Sequence, residues 1–262
     1  MIKIGRKKID RKGETGINNF GSEMMIETYR QWNDIDIYFP EYNCTVKHIE
    51  YSQFKKGQVK CPYEPRVYNI GYFGEGPYKA GSPGNMTKEY DTWHSMMSRC
   101  YNTKLHIKYS AYKDCSVCDE WLNFQEYGKW FSKNYYEIPG EKMCLDKDIL
   151  IKGNKIYSPN TCIFVPEKIN ILFTKHDTKR GNYPIGVIWH ERDKVFEVRC
   201  NIQEDGAIKR KYLGRFNNAE EAFSIYKRVK EQHIKDIADL YKESIPEALY
   251  KALYEYEVEW TD

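Results

Sequence analysis

Nine residues toward the end of the chain, Lys194-Val-Phe-Glu-Val-Arg-Cys-Asn-Ile202, alternate between the two faces of an extended strand. Successive side chains of a strand point to opposite sides, so Phe196, Val198, Cys200 and Ile202 share one face and Glu197, Arg199 and Asn201 the other. The apolar face has to be covered, and the flanking sequence supplies the cover. Ile185–His190 is strand-like, Glu204-Asp205-Gly206 makes a turn, and Ile208–Leu213 returns as a further strand. Asn217 or Asn218 can then cap a helix with apolar positions at Ala222, Phe223, Tyr226, Val229 and Ile237. Glu220 and Glu221 fall in its first turn, where the helix dipole favours negative charge. The pattern predicts a three-stranded antiparallel sheet backed by one helix, over residues 181–243.

With Leu213 and Phe216 turned inward, Arg210 and Tyr212 face outward beside Arg199 and Asn201. Arginine can pair with guanine and asparagine with adenine, both in bidentate geometry. Lys194, Lys209 and Lys211 suit phosphates, which position a protein without specifying sequence. Any one of these side chains would be at home on a solvated sheet, so the cluster carries the expectation.

Several motifs occur here in order: Gly186-Val187-x-Trp189, Lys194-x-Phe196-x-Val198, Tyr212-Leu213-Gly214-x-Phe216, and Ala219-Glu-Glu-Ala222-x-x-x-Tyr226. Together they resemble the AP2-type DNA-binding domain over about sixty residues. The resemblance implies a sheet laid in the major groove with the helix packed behind it, and double-stranded DNA as partner. Phe196 stands where members of that family commonly carry Trp.

Upstream the texture changes twice. Residues 1–70 hold β-branched and aromatic runs at Met24–Tyr29, Ile35–Phe39 and Cys44–Ile49, broken by Asn-Asp, Pro and Gly. They predict a β-rich N-terminal module, of a kind that suits an SH3-like barrel, with Tyr51–Gly57 as its closing turn. Residues 71–88 are rich in Gly and Pro and read as a linker; no Lys-Ser/Thr follows to make a phosphate loop. In residues 89–174 the spacing of Tyr90, Trp93, Met96, Met97 and Cys100, and of Trp121, Phe124 and Phe131, is helical.

This middle segment resembles a group of phage and prophage HNH-endonuclease-like proteins. The resemblance rests on Trp93-x-x-Met96-x-x-Arg99-Cys100-Tyr101-Asn102, Val117-Cys118-Asp119-Glu120-Trp121-x-x-Phe124, Leu145-Asp146-Lys147-Asp148 and Tyr157-Ser158-Pro159-x-x-Cys162. Such a site needs a His to activate water and further side chains to hold a divalent metal. Asp146 is followed by Lys147 where the pattern places His, and lysine is a poor general base at neutral pH. The reading is therefore a degenerate HNH-like module. In the alternative, an active homing-type endonuclease, Asp146, Asp148 and Asn160 would be catalytic and Mg²⁺ the cofactor. Cys100, Cys115, Cys118 and Cys162 offer a possible structural zinc site, with buried thiols as the bland alternative.

The formal charge of +3 hides an uneven distribution. The acidic, aromatic tail 244–262 carries Glu247, Glu255, Glu257, Glu259 and Asp262 against Lys251, so the body is more basic than the total. The charged start, Ile2-Lys3-Ile4-Gly5-Arg6, does not fit a signal peptide, and no stretch is long and apolar enough for a bilayer. The expectation is an α+β, multi-domain, cytoplasmic DNA-binding protein of a phage, acting at the bacterial nucleoid. A phage protein that binds or inhibits a host protein is the remaining alternative.

Overall fold

In the computed structural model, residues 10–174, 183–204 and 207–262 are described. Helices and several separate sheets coexist, a mixed α and β architecture in keeping with the α+β expectation. The described residues form two compact units, one within 1–133 together with 156–158 and the other within 134–155 together with 159–262.

The first unit begins as an antiparallel meander of β1 (Thr15–Ile17), β2 (Glu23–Gln31), β3 (Asp34–Phe39) and β4 (Cys44–Ile49). Met24, Ile26, Ile35, Ile37 and Phe39 point to one side and are buried there with Phe54, Val59 and Cys61. The expected closing turn contains a short helix, α1 (Tyr51–Lys55), which brings Phe54 onto that core. Asn18 organises the first hairpin: its carbonyl oxygen accepts from the N–H groups of Phe20 and Ser22, and its amide donates to Val59 O and Glu64 Oε1.

The Gly/Pro-rich stretch that follows is packed in place. It includes a small hairpin, β5 (Gly81–Ser82) with β6 (Asn85–Met86), and leads into α2 (Lys88–Tyr101), capped by the Thr87 hydroxyl. After α3 (Thr103–Lys108) come β7 (Ser116–Val117), α4 (Asp119–Leu122) and α5 (Phe124–Asn134). Gln125, near the start of α5, holds the stretch down: its amide donates to Phe73 O and Tyr78 O, and its carbonyl accepts from Tyr78 N. A main-chain segment rich in glycine can lie this close to a helix because little side chain intervenes. Trp93, Trp121, Phe124 and Tyr127 fill the interior as the helical spacing predicts, with Trp93 Nε1 donating to Trp121 O at 2.7 Å. The next strand, β8 (Met143–Asp146), belongs to the second unit, whereas β9 (Ile156–Tyr157) returns to the first and pairs parallel with β7.

In the second unit β8 pairs antiparallel with β10 (Ile163–Pro166), and α6 (Glu167–Asn170) follows directly. Beyond it lie β11 (Val187–His190), β12 (Val195–Glu204) and β13 (Ala207–Phe216), which form an antiparallel sheet in the order β11-β12-β13. The long helix α7 (Ala219–Tyr241) packs against this sheet, with Asn218 as its cap. Ile149, Val165, Ile169 and Leu172 share one core with Val198, Cys200 and Ile202 of the sheet and Tyr226, Ile234 and Ile237 of α7. The boundary between the units at Lys133 thus lies inside the segment expected as one central module, and its second half is built into the same core as the C-terminal sheet.

The acidic tail is ordered on the same core. It forms α8 (Glu247–Tyr254), whose Leu249 and Leu253 are buried with Val258. Each leucine so buried contributes about 1.5–3 kcal/mol. Asp262, 5% exposed, accepts from Lys152 Nζ at 2.8 Å and from the Tyr256 hydroxyl at 3.1 Å.

Candidate nucleic-acid interface

The register of β12 with β13 decides which side chains share a face. Arg199 lies opposite Tyr212 and Asn201 opposite Arg210, and residues directly across an antiparallel pair project to the same side. All four are exposed. The parity of β13 would not by itself allow both Leu213 and Phe216 to face inward. An irregularity between Val198 and Arg199 resolves it, because Gly214 pairs with Val198 and Tyr212 with Arg199, leaving Leu213 over. Leu213 and Phe216 both pack against the core, and Tyr212 turns outward, 54% exposed.

Lys209 and Lys211 separate from this group. They lie opposite Ile202 and Cys200, hence on the other face of the sheet from Arg199, Asn201, Arg210 and Tyr212. Lys194 sits at the β11–β12 connection with φ at 55° and is ion-paired with Glu191. The acid on the outer face is Glu197, which is buried beneath two arginines and a histidine rather than displayed. Arg199 Nε lies 2.5 Å from it, His190 Nε2 3.3 Å and Arg215 Nη2 3.6 Å. The hydrogen bond from Arg199 leads in holding the Glu197 carboxyl below the usual carboxylate range, opposed by burial.

The residues expected to matter in a nuclease lie around β8 and β10. Asp146 ends β8, and its Oδ1 accepts from Asp148 N at 2.9 Å and Ile149 N at 2.7 Å. Burial raises its pKa first, and the charge of Asp148 adds to the rise. Lys147 is 7% exposed, with its ammonium 3.2 Å from Asp148 Oδ2. Asn154 donates to Lys147 O at 2.7 Å and so pins the loop that follows β8, while Asn160 is exposed in the turn ahead of β10. Of the histidines remote in sequence, His94 lies beside Tyr68 and Tyr90, and His106 Nε2 is 2.8 Å from Arg99 O. His176 lies outside the described residues.

Of the four cysteines, Cys100 is on α2, Cys115 precedes β7 and Cys118 is the residue ahead of α4, all in the first unit. Cys162, just before β10, belongs to the second. Cys100, Cys115 and Cys162 are buried and Cys118 half-buried.

A group that the sequence reading missed, Asp34, Asp36 and His48, has ligand atoms within 4.8 Å of one another and could hold a metal ion. Arg30 already serves these carboxylates, with Nη1 2.9 Å from Asp34 and Nη2 2.6 Å from Asp36. A metal would compete with that guanidinium. The available signal was the i, i+2 spacing of two aspartates on one strand face. Also missed were Lys230 and His233, which fall on the buried stripe of α7 with Tyr226, Ile234 and Ile237. A polar residue at helical spacing within an apolar stripe was the sign.

No family model, no curated protein and no solved structure matches this chain. Among the described residues no helix is long and apolar enough to cross a membrane.

Proposed function

We propose that this protein binds double-stranded DNA through the outer face of β12 and β13. The observation that carries the reading is the pairing of Arg199 with Tyr212 and of Asn201 with Arg210, which sets four exposed hydrogen-bonding side chains on one surface. A two-stranded ribbon fits the major groove, and Arg and Asn on it can read guanine and adenine. Glu197 beneath them orients Arg199 and Arg215 while cancelling part of their charge. Lys194, which would exchange its Glu191 partner for a phosphate, is assigned to the backbone, whereas Lys209 and Lys211 contribute long-range attraction only.

We read the β8–β10–α6 piece as part of an HNH-like module that does not cut. One carboxylate oxygen of Asp146, Oδ1, is committed to two backbone N–H groups, and a paired lysine follows it where a base would be needed. The AP2-like and HNH-like assignments rest on the sequence motifs.

The test is fluorescence anisotropy of the intact protein on random duplex DNA across a salt series. Affinity should fall steeply with salt. Arg199→Ala/Arg210→Ala should weaken binding at every salt concentration, by about 1–3 kcal/mol for each lost base contact. No binding at low salt, or an unchanged affinity in the double variant, would overturn the proposal.

A further inference from the structure

β11 spans only Val195–Val198 of the ten residues of β12. Next to the rest of that edge lies a cavity of about 900 Å³, lined by residues from both faces of the sheet and from α7. Its size falls within the range of small-molecule sites. Leu172, Ile185, Val187, Ile202 and Tyr226 give it an apolar wall. Three cations also line it, Arg199 and Arg210 from the sheet and Lys230 from α7, and its described lining includes no carboxylate. Arg199 is paired with Glu197, but among the described residues no acid pairs with Arg210 or Lys230. Lys230 is half-buried, one helical turn from Tyr226 and on the same side of α7.

An ammonium held partly out of water without a counter-ion is an unsatisfied feature of the fold, and an incoming anion would satisfy it. Burial lowers the Lys230 pKa, opposed by Cys200. A singly charged group matches this arrangement. Lys230 is the half-buried cation and Arg210 is exposed to water, so a single charge suffices at the apolar end of the cavity.

We propose that the cavity binds an amphipathic organic carboxylate, its charged end on Lys230 and its apolar body against Leu172, Ile202 and Tyr226. The inference rests on Lys230, which lies on the helix, and not on the DNA reading, although Arg199 and Arg210 border both surfaces.

Decanoate and 1-decanol, titrated into the full-length protein by calorimetry, are the probes. Decanoate should bind at least tenfold tighter than the alcohol, and Lys230→Met should bring the two within about threefold. Removing the desolvated ammonium should also raise the Tm, which shows that the variant is folded; Lys230→Gln provides the same comparison with a polar side chain. Failure of both probes to bind, equal affinity in the native protein, or a carboxylate preference that survives both substitutions would each overturn the proposal. DNA anisotropy on the same samples reports separately on the sheet face.

Discussion

His233 should make the second unit sensitive to mild acid. It lies on α7, 8% exposed, and its Nε2 accepts from Gln203 N at 2.9 Å. That bond satisfies a backbone donor of β12 where β11 no longer runs alongside. Only the neutral ring can accept it, so protonation costs the bond and leaves an amide unsatisfied. Burial is the main cause of the lowered His233 pKa, assisted by the charge of Lys230 and opposed by Asp236 and Glu204. For a base whose folded pKa lies below its ordinary value of 6.5, the unfolded chain takes up the proton first as pH falls. The stability contribution is therefore complete above that value and is lost as pH falls below it, by up to about 1.4 kcal/mol per pH unit until the folded pKa is reached. Urea unfolding of the native protein and of His233→Gln at pH 7.5, 6.5, 5.5 and 5.0 measures this. Glutamine retains an acceptor for Gln203 N and does not titrate. The difference in stability between the two proteins should move in favour of the variant at each step below pH 6.5. Parallel curves over the whole range would refute the reasoning.

Gly186→Ala should destabilise the second unit by about 3 kcal/mol, because φ is +77° there and the added methyl would collide with the Tyr226 ring. Thermal unfolding checks it, and a loss below about 1 kcal/mol would count against the close approach of Gly186 and Tyr226. Gln125→Ala should cost about 2–4 kcal/mol by leaving Phe73 O, Tyr78 O and Tyr78 N without their partner. Limited proteolysis between residues 73 and 88 should accelerate in that variant, and an unchanged cleavage rate would show that the stretch is held by other means.

The C-terminal sheet and helix were legible because their signals are local. Alternation in 194–202, an Asn cap and a helical stripe each act within a few residues, and the structure builds them as β12, Asn218 and α7. The inward turn of both Leu213 and Phe216 was also readable, although its physical basis, an irregular register opposite Val198, depends on the partner strand. The same dependence hid the placement of Lys209 and Lys211, which adjacent numbering groups with Arg210 and cross-strand pairing separates from it. The Gly/Pro-rich stretch read as a linker because composition registers loose local geometry and is blind to Gln125, some fifty residues on. His233 and Lys230 stayed unremarked because their significance comes from where β11 stops, a property of another element.

The short strand Ile156–Tyr157 has a consequence for how the protein is made. The chain leaves the first unit after Lys133, returns for three residues, and leaves again. During synthesis from the N-terminus, the segment up to Lys133 can collapse early, but β7 must wait for residues 156–157 to emerge before it gains its parallel partner. The intervening 134–155, in turn, belong to a core whose sheet and helix are translated much later. A ribosome stalled midway would therefore carry an unpaired strand and an uncovered apolar hairpin at once, and no contiguous cut of the polypeptide isolates either half intact.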